Sequence, residues 1–135
     1  GIRHFDKAIR LKPRYAEAHN SMGNALAQKG LVKEAMKAWS RAAELDPRYA
    51  EPHFNMGITF ELQGDVKEAK RCFSDAIRIK PNYAQAYSKL GFISAREGKY
   101  KAAMKLFSEA LRINPRLRDA RKGFQEMIRI TGRKN

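Results

Sequence analysis

Apolar residues return along this chain in helical rhythm, at spacings of three and four, and the rhythm itself restarts at a constant interval. Pro13, Pro47, Pro81 and Pro115 mark the period, each thirty-four positions after the last. Eight positions before each stands an aromatic ring (Phe5, Trp39, Phe73, Phe107), and five before each an alanine (Ala8, Ala42, Ala76, Ala110). Ala35, Ala69 and Ala103 precede the last three prolines by twelve positions, Gly30, Gly64 and Gly98 by seventeen, and Gly23, Gly57 and Gly91 by twenty-four. Two positions past each proline come Tyr15, Tyr49, Tyr83 and then Leu117.

Each period reads as two antiparallel helices. Ala16 to Lys29 is helical with no internal proline, and Gly30 supplies a residue able to end it in the left-handed conformation. Leu31 to Leu45 is a second helix stopped by Asp46-Pro47, because proline lacks a donor and disfavours helix in its predecessor. Asp65, three residues before Glu68, has the spacing of a helix cap with its reciprocal glutamate. Gly23, Gly57 and Gly91 fall inside helices, where glycine is unfavourable, so a neighbour must approach too closely for a side chain. The repeated aromatic ring, flanked by small alanines, is the natural neighbour.

This pattern of Gly, Ala, aromatic and Pro within one such period resembles the tetratricopeptide repeat. The resemblance implies an all-α, right-handed superhelical solenoid of antiparallel helix pairs, about eight helices in all. It divides the chain into a second helix of a truncated repeat (1–15), three full units (16–49, 50–83, 84–117), a C-terminal capping helix (116–131) and a tail (132–135). The cap is expected to turn Leu117, Ala120, Phe124 and Ile128 inward, since a solenoid must cover its last apolar face. His19 and His53 stand where the family usually has a large aromatic, and so are expected to pack there and not to hold a metal. Ser94 replaces the tyrosine usual at its position.

Composition changes the picture mainly through charge. The chain carries 28 Lys and Arg against 14 Asp and Glu, a formal net charge of +14, and the segment 81–135 holds +9 of it. Such asymmetry suits an anionic partner or surface. Apolar content of 43% is that of a globular protein, and no apolar run is long enough to span a bilayer. One cysteine, Cys72, leaves no internal disulfide, and its place beside Phe73 suggests a buried, unreactive thiol.

Repeat stacks curve, and in the family the first helices line the concave side, where extended peptides bind. The expected groove residues are Asn20, Asn24, Phe54, Asn55, Ile58, Lys89, Phe92, Arg96 and Lys122. The three amides can bond a peptide backbone from either side. Phe54, Ile58 and Phe92 are apolar at positions facing solvent, a mark of a binding patch. Glu17, Glu51 and Glu61 make one end negative, whereas Lys89, Arg96 and Lys122 make the other positive and suit an acidic or C-terminal segment. Relatives that clamp a chaperone's terminal carboxylate use two Asn and three cations. Here Asn24 and Asn55 match the amides and Lys89 one cation, but Asn20 and Gln85 stand where two lysines are required, so the clamp is partial at best.

Two other classes are weighed against this non-catalytic scaffold. Lys33, Lys37, Arg41, Lys67, Lys70, Arg71, Lys101 and Lys105 line the second helices and favour non-specific binding of nucleic acid or another polyanion. They are interleaved with Glu34, Glu44 and Glu68 and show no base-reading motif. Enzymatic activity finds no phosphate-cradling loop, no metal-spaced Cys/His cluster and no nucleophile motif, so no cofactor or metal is expected. Finally, Ile2, Phe5 and Ile9 would face a first helix that these residues do not include. Either the array is truncated or a second copy covers that face, which would make the N-terminal helix a self-association surface.

Overall fold

The computed structural model describes residues 2–132, with side chains from residue 14 onward. Among these residues there are seven α-helices and no strand: α1 (Ile2–Gln28), α2 (Val32–Leu45), α3 (Glu51–Leu62), α4 (Val66–Ile79), α5 (Ala84–Arg96), α6 (Tyr100–Ile113) and α7 (Arg118–Thr131). The helices form antiparallel pairs, α1 with α2, α3 with α4 and α5 with α6, and α7 packs onto α6. Successive pairs stack through α2 on α3 and α4 on α5. First helices also meet across units, α1 with α3 and α5 with α7, so they line a common side. This is an all-α helical-repeat solenoid, stabilised by contacts between neighbours.

The turn inside each pair is made the same way three times. Gly30, Gly64 and Gly98 take φ of 81°, 85° and 78°, which a side chain would oppose. The next residue's N–H then reaches back five residues, Leu31 to Leu26, Asp65 to Phe60 and Lys99 to Ser94, each at 2.9 Å. Asp65 does not act as the expected side-chain cap. Its backbone angles match those of Leu31 and Lys99, so the glycine turn sets this geometry and the carboxylate adds nothing to it. Between pairs, a turn crosses each proline: the N–H of Tyr49, Tyr83 and Leu117 bonds the carbonyl of Asp46, Lys80 and Asn114. Asp46 and Asn114 tighten their turns by accepting from the N–H of Arg48 and Arg116, both at 3.1 Å.

Pro13 departs from this rule. A break was expected there, whereas α1 runs through it as one element of 27 residues, which is why seven helices stand in place of eight. In the later units the residue two past the proline is held under the first helix of its own repeat. Tyr49 accepts a hydrogen bond from Asn20, and Tyr83 stacks on Phe54. Tyr15 is 54% exposed, so the contact that draws the chain into a turn is missing there. Proline removes one helical hydrogen bond but does not by itself dictate a turn. The self-association expected of Ile2, Phe5 and Ile9 concerns side chains outside the described residues.

The core consists of the residues that repeat. Ala35, Ala42, Ala69, Ala76, Ala103 and Ala110 are fully buried, as are Phe73 and Phe107, and Trp39 nearly so. A methyl group on Gly57 would lie 2.7 Å from the Phe73 ring, and one on Gly91 equally close to Phe107. The glycines are therefore sites of close helix approach. In α7 the inward face is Ala120, Gly123 and Met127, with Leu117 and Phe124 partly buried against the same cluster. Ile128 was expected inward but is 40% exposed. Gly123 lets the Phe107 ring press directly on the α7 backbone, and Met127, one turn further on, is the buried residue of that face.

Candidate functional site

The common side lined by α3, α5 and α7 carries two adjoining cavities. The smaller, about 170 Å³, is lined by Phe54 and Ile58 of α3, Gln85, Ser88, Lys89 and Phe92 of α5, and Leu117 and Asp119 at the start of α7. The larger, about 570 Å³, lies between the far ends of α5 and α7, with Glu61 of α3 and Tyr100 of α6 at its edge. Lys89, Phe92 and Asp119 belong to both. They form the wall between the two cavities.

Phe54, Ile58, Lys89, Phe92 and Arg96 thus come together as expected groove residues. The apolar three are not free in solvent, however. Phe54 stacks on Tyr83 with centroids 4.9 Å apart and tilts against Phe73 at 5.5 Å, and Phe92 and Phe107 make a T-shaped pair with centroids 4.9 Å apart. Both rings are half-buried, touching the core on one side and lining a cavity on another. Such half-buried rings are rigid, so a ligand meets them without ordering them first.

The amides sit elsewhere and are occupied. Asn55 on α3 donates through Nδ2 to Oδ1 of both Asn20 and Asn24 on α1, at 3.1 Å each. Asn20 donates to the Tyr49 hydroxyl, and the Trp39 indole donates to Asn24 Oδ1, again at 3.1 Å. Asn20 is only 7% exposed. The cluster joins the first two units and gives the polar tips of Tyr49 and Trp39 their partners. Both Nδ2 donors of Asn55 are thereby engaged, which leaves its carbonyl oxygen, an acceptor only, to face a ligand.

The charges are also more mixed than two separated ends. Glu61 and Arg96 form an ion pair across units, and Glu126 pairs with Arg129, whose guanidinium holds that carboxyl below its ordinary range. Lys89 and Arg96 face Glu61, Asp119 and Glu126 around the larger cavity. Lys122 is exposed and lines neither cavity. Of the two cations that line the cavities, Arg96 is paired with Glu61 and Lys89 is in none of the ion pairs among the described residues, so Lys89 is the one open to a partner carboxylate there. Asp119 and Leu117 were missed in the sequence. Asp119 follows Gln85 by one repeat period, as Gln85 follows Glu51, and that spacing was the signal for it.

Other candidate chemistry is placed away from the groove. Burial pushes the Cys72 thiol up to about 11, with Arg71 opposing. At pH 8 roughly one thiol in a thousand is then ionised. Native protein is expected to react with a disulfide reagent on the order of a hundredfold more slowly than the chain in denaturant. Equal rates in the two conditions would contradict the burial. His53 is partly buried, and that desolvation lowers it below an ordinary histidine, with Asp75 raising it and Arg78 lowering it. On the second helices, Lys33, Lys37, Lys67, Lys101 and Lys105 are exposed, whereas Lys70 pairs with Glu97 at 2.7 Å and Arg71 with Glu68 at 2.7 Å. Among the described residues no helix is long and apolar enough to cross a membrane.

A TPR repeat model matches residues 23–64, and a tetratricopeptide repeat model matches 50–83 and 84–117. The chain belongs to the tetratricopeptide repeat family. Among solved structures it is similar to the Arabidopsis OM64 TPR domain (20% identity, TM-score 0.79, covering 88% of this chain and 98% of that one). It is also similar to the first TPR of Spaghetti (RPAP3) bound to HSP90 peptide SRMEEVD (18%, TM-score 0.79, 88% and 94%). A third similar structure is MamA (23%, TM-score 0.76, 97% and 77%). A search of curated protein sequences returns no match.

Proposed function

We propose that the chain is a non-catalytic protein-interaction scaffold that holds an extended peptide segment along α3, α5 and α7. The observation that carries this reading is the pair of adjoining cavities walled by Phe54, Ile58 and Phe92, half-buried rings and an aliphatic chain in a preformed trough. The similar Spaghetti TPR is bound to an HSP90 peptide, which supports a peptide as the ligand class. Apolar anchors of the segment enter the trough, and Lys89 meets a carboxylate of the segment, either side-chain or terminal.

The mixed charge of the groove argues for a single carboxylate at Lys89 in preference to a run of acids. A carboxylate clamp fits poorly, because both donors of Asn55 are engaged by Asn20 and Asn24 and, of the cavity cations, Arg96 is paired with Glu61. The polyanion alternative rests on the second-helix lysines, which are spread over separate helices and share their faces with ion pairs.

The test is a peptide selected against this protein from a random display library, measured by calorimetry on wild type and on Lys89→Glu. Lys89→Glu is expected to weaken it about tenfold, as loss of a charge-assisted bond should. Unchanged affinity in the variant for a peptide bearing a carboxylate would overturn the placement.

A further inference from the structure

The same position in three successive first helices is filled by Asn20, Phe54 and Ser88, each one repeat period after the last. The first two meet the residue two past the proline that closes their own unit. Asn20 bonds the Tyr49 hydroxyl, and Phe54 stacks on Tyr83. Ser88 has Leu117 in that place, which offers no polar atom and no ring. A serine and a leucine also occupy far less space than a phenylalanine and a tyrosine. The deficit shows as the cavity of about 170 Å³ that Ser88 and Leu117 both line. It shows as well in the Ser88 hydroxyl, whose residue is only 4% exposed and whose oxygen has no hydrogen-bond partner. A buried hydroxyl without a partner is unfavourable, and native structures rarely leave one without a purpose.

We infer that this cavity is a subsite for one neutral amide side chain, glutamine or asparagine, of the bound peptide, with Ser88 as its hydrogen-bonding floor. The inference rests on reading the groove as a peptide site. Phe54, Ile58, Phe92 and Leu117 provide walls for the methylene stem. Lys89 and Asp119 stand among the lining residues with opposite charges, so a carboxylate inside this cavity meets Asp119 and an ammonium meets Lys89, while the segment's own carboxylate reaches Lys89 from the larger cavity, which Lys89 also lines. An amide carries an acceptor and two donors with no net charge and satisfies all three polar groups at once. The occupant draws Oγ toward itself by a turn about χ1, one of the three staggered positions open to a serine.

The probes are capped single residues, N-acetyl methylamides of glutamine, leucine and glutamate, titrated into the whole chain and followed by NMR shifts of Phe92 and Leu117. The glutamine probe is expected to bind most tightly, and Ser88→Ala to weaken it about fivefold while leaving the leucine probe unchanged. Leu117→Tyr, which restores the pairing seen at Asn20 and Tyr49, is expected to fill the cavity and abolish the shifts, with circular dichroism checking its helix content. Equal affinity for the three probes, no shift with any of them, or a Ser88→Ala variant that binds the glutamine probe as wild type does would each overturn the subsite. The two readings fail separately. A library-selected peptide that binds along the groove but leaves these signals unmoved overturns the subsite alone, whereas glutamine-probe binding without any peptide binding overturns the groove reading alone.

Discussion

Phe107→Ala is expected to destabilise the fold by about 3–5 kcal/mol, the usual loss for a fully buried phenylalanine. The ring is fully buried and touches Gly91 of α5 and Gly123 of α7 so closely that neither could carry a methyl group. It therefore seals two helix contacts at once, and the alanines packed in the same cluster, Ala103, Ala110 and Ala120, are too small to fill the space it leaves. A fold of this size is stable by only about 5–15 kcal/mol, so the change removes a large share. Because contacts run between neighbours, the loss should begin at the C-terminal end. Trp39, the single tryptophan, reports the first unit. In urea the variant is expected to lose helical circular dichroism before Trp39 fluorescence changes. A loss below about 1 kcal/mol would mean that Phe107 is not the keystone its packing implies.

Phe92→Ala is expected to have the largest effect on binding, a loss of about 2 kcal/mol or more, roughly thirtyfold in affinity. Its ring is the wall shared by both cavities, so its removal merges them and takes the central aromatic surface from the groove. Phe92 also packs edge-on against Phe107, so some stability goes with it. Phe124→Ala separates the two effects. Phe124 packs against the same core cluster but lines neither groove cavity. It should cost comparable stability and leave affinity for a library-selected peptide unchanged. Equal losses of affinity in the two variants would mean that Phe92 acts only through folding.

Much of the fold was legible because repetition makes packing visible. A ring, two alanines and a glycine at constant offsets can only be explained by one helix pressing repeatedly on another, and those residues are the core. Pro13 does not break its helix because such a turn depends on a contact beyond the local sequence: proline permits the break, and a residue two past it held against the packed repeat (Tyr49, Tyr83, Leu117) goes with it. Ile128 was misplaced for a similar reason. The apolar stripe of α7 could be drawn through Ile128 or Met127, and the choice is made by where the Phe107 ring meets Gly123. Phe54, Ile58, Lys89, Phe92 and Arg96, expected in a groove from helical geometry and the family resemblance, line the two cavities. That Asn20, Asn24 and Asn55 bond one another was not legible, because pairings between residues 29 to 35 positions apart cannot be seen in one chain's sequence. The Glu61–Arg96 pair, which joins what looked like opposite ends, was hidden in the same way.

The central claim is that a segment binds along α3, α5 and α7. Its most direct test is an NMR map of a library-selected peptide bound to the intact chain. Shifts and intermolecular contacts concentrated at Phe54, Ile58, Lys89 and Phe92 are the predicted result. Contacts confined to the outer faces of α2, α4 and α6, with those four residues unmoved, would contradict it.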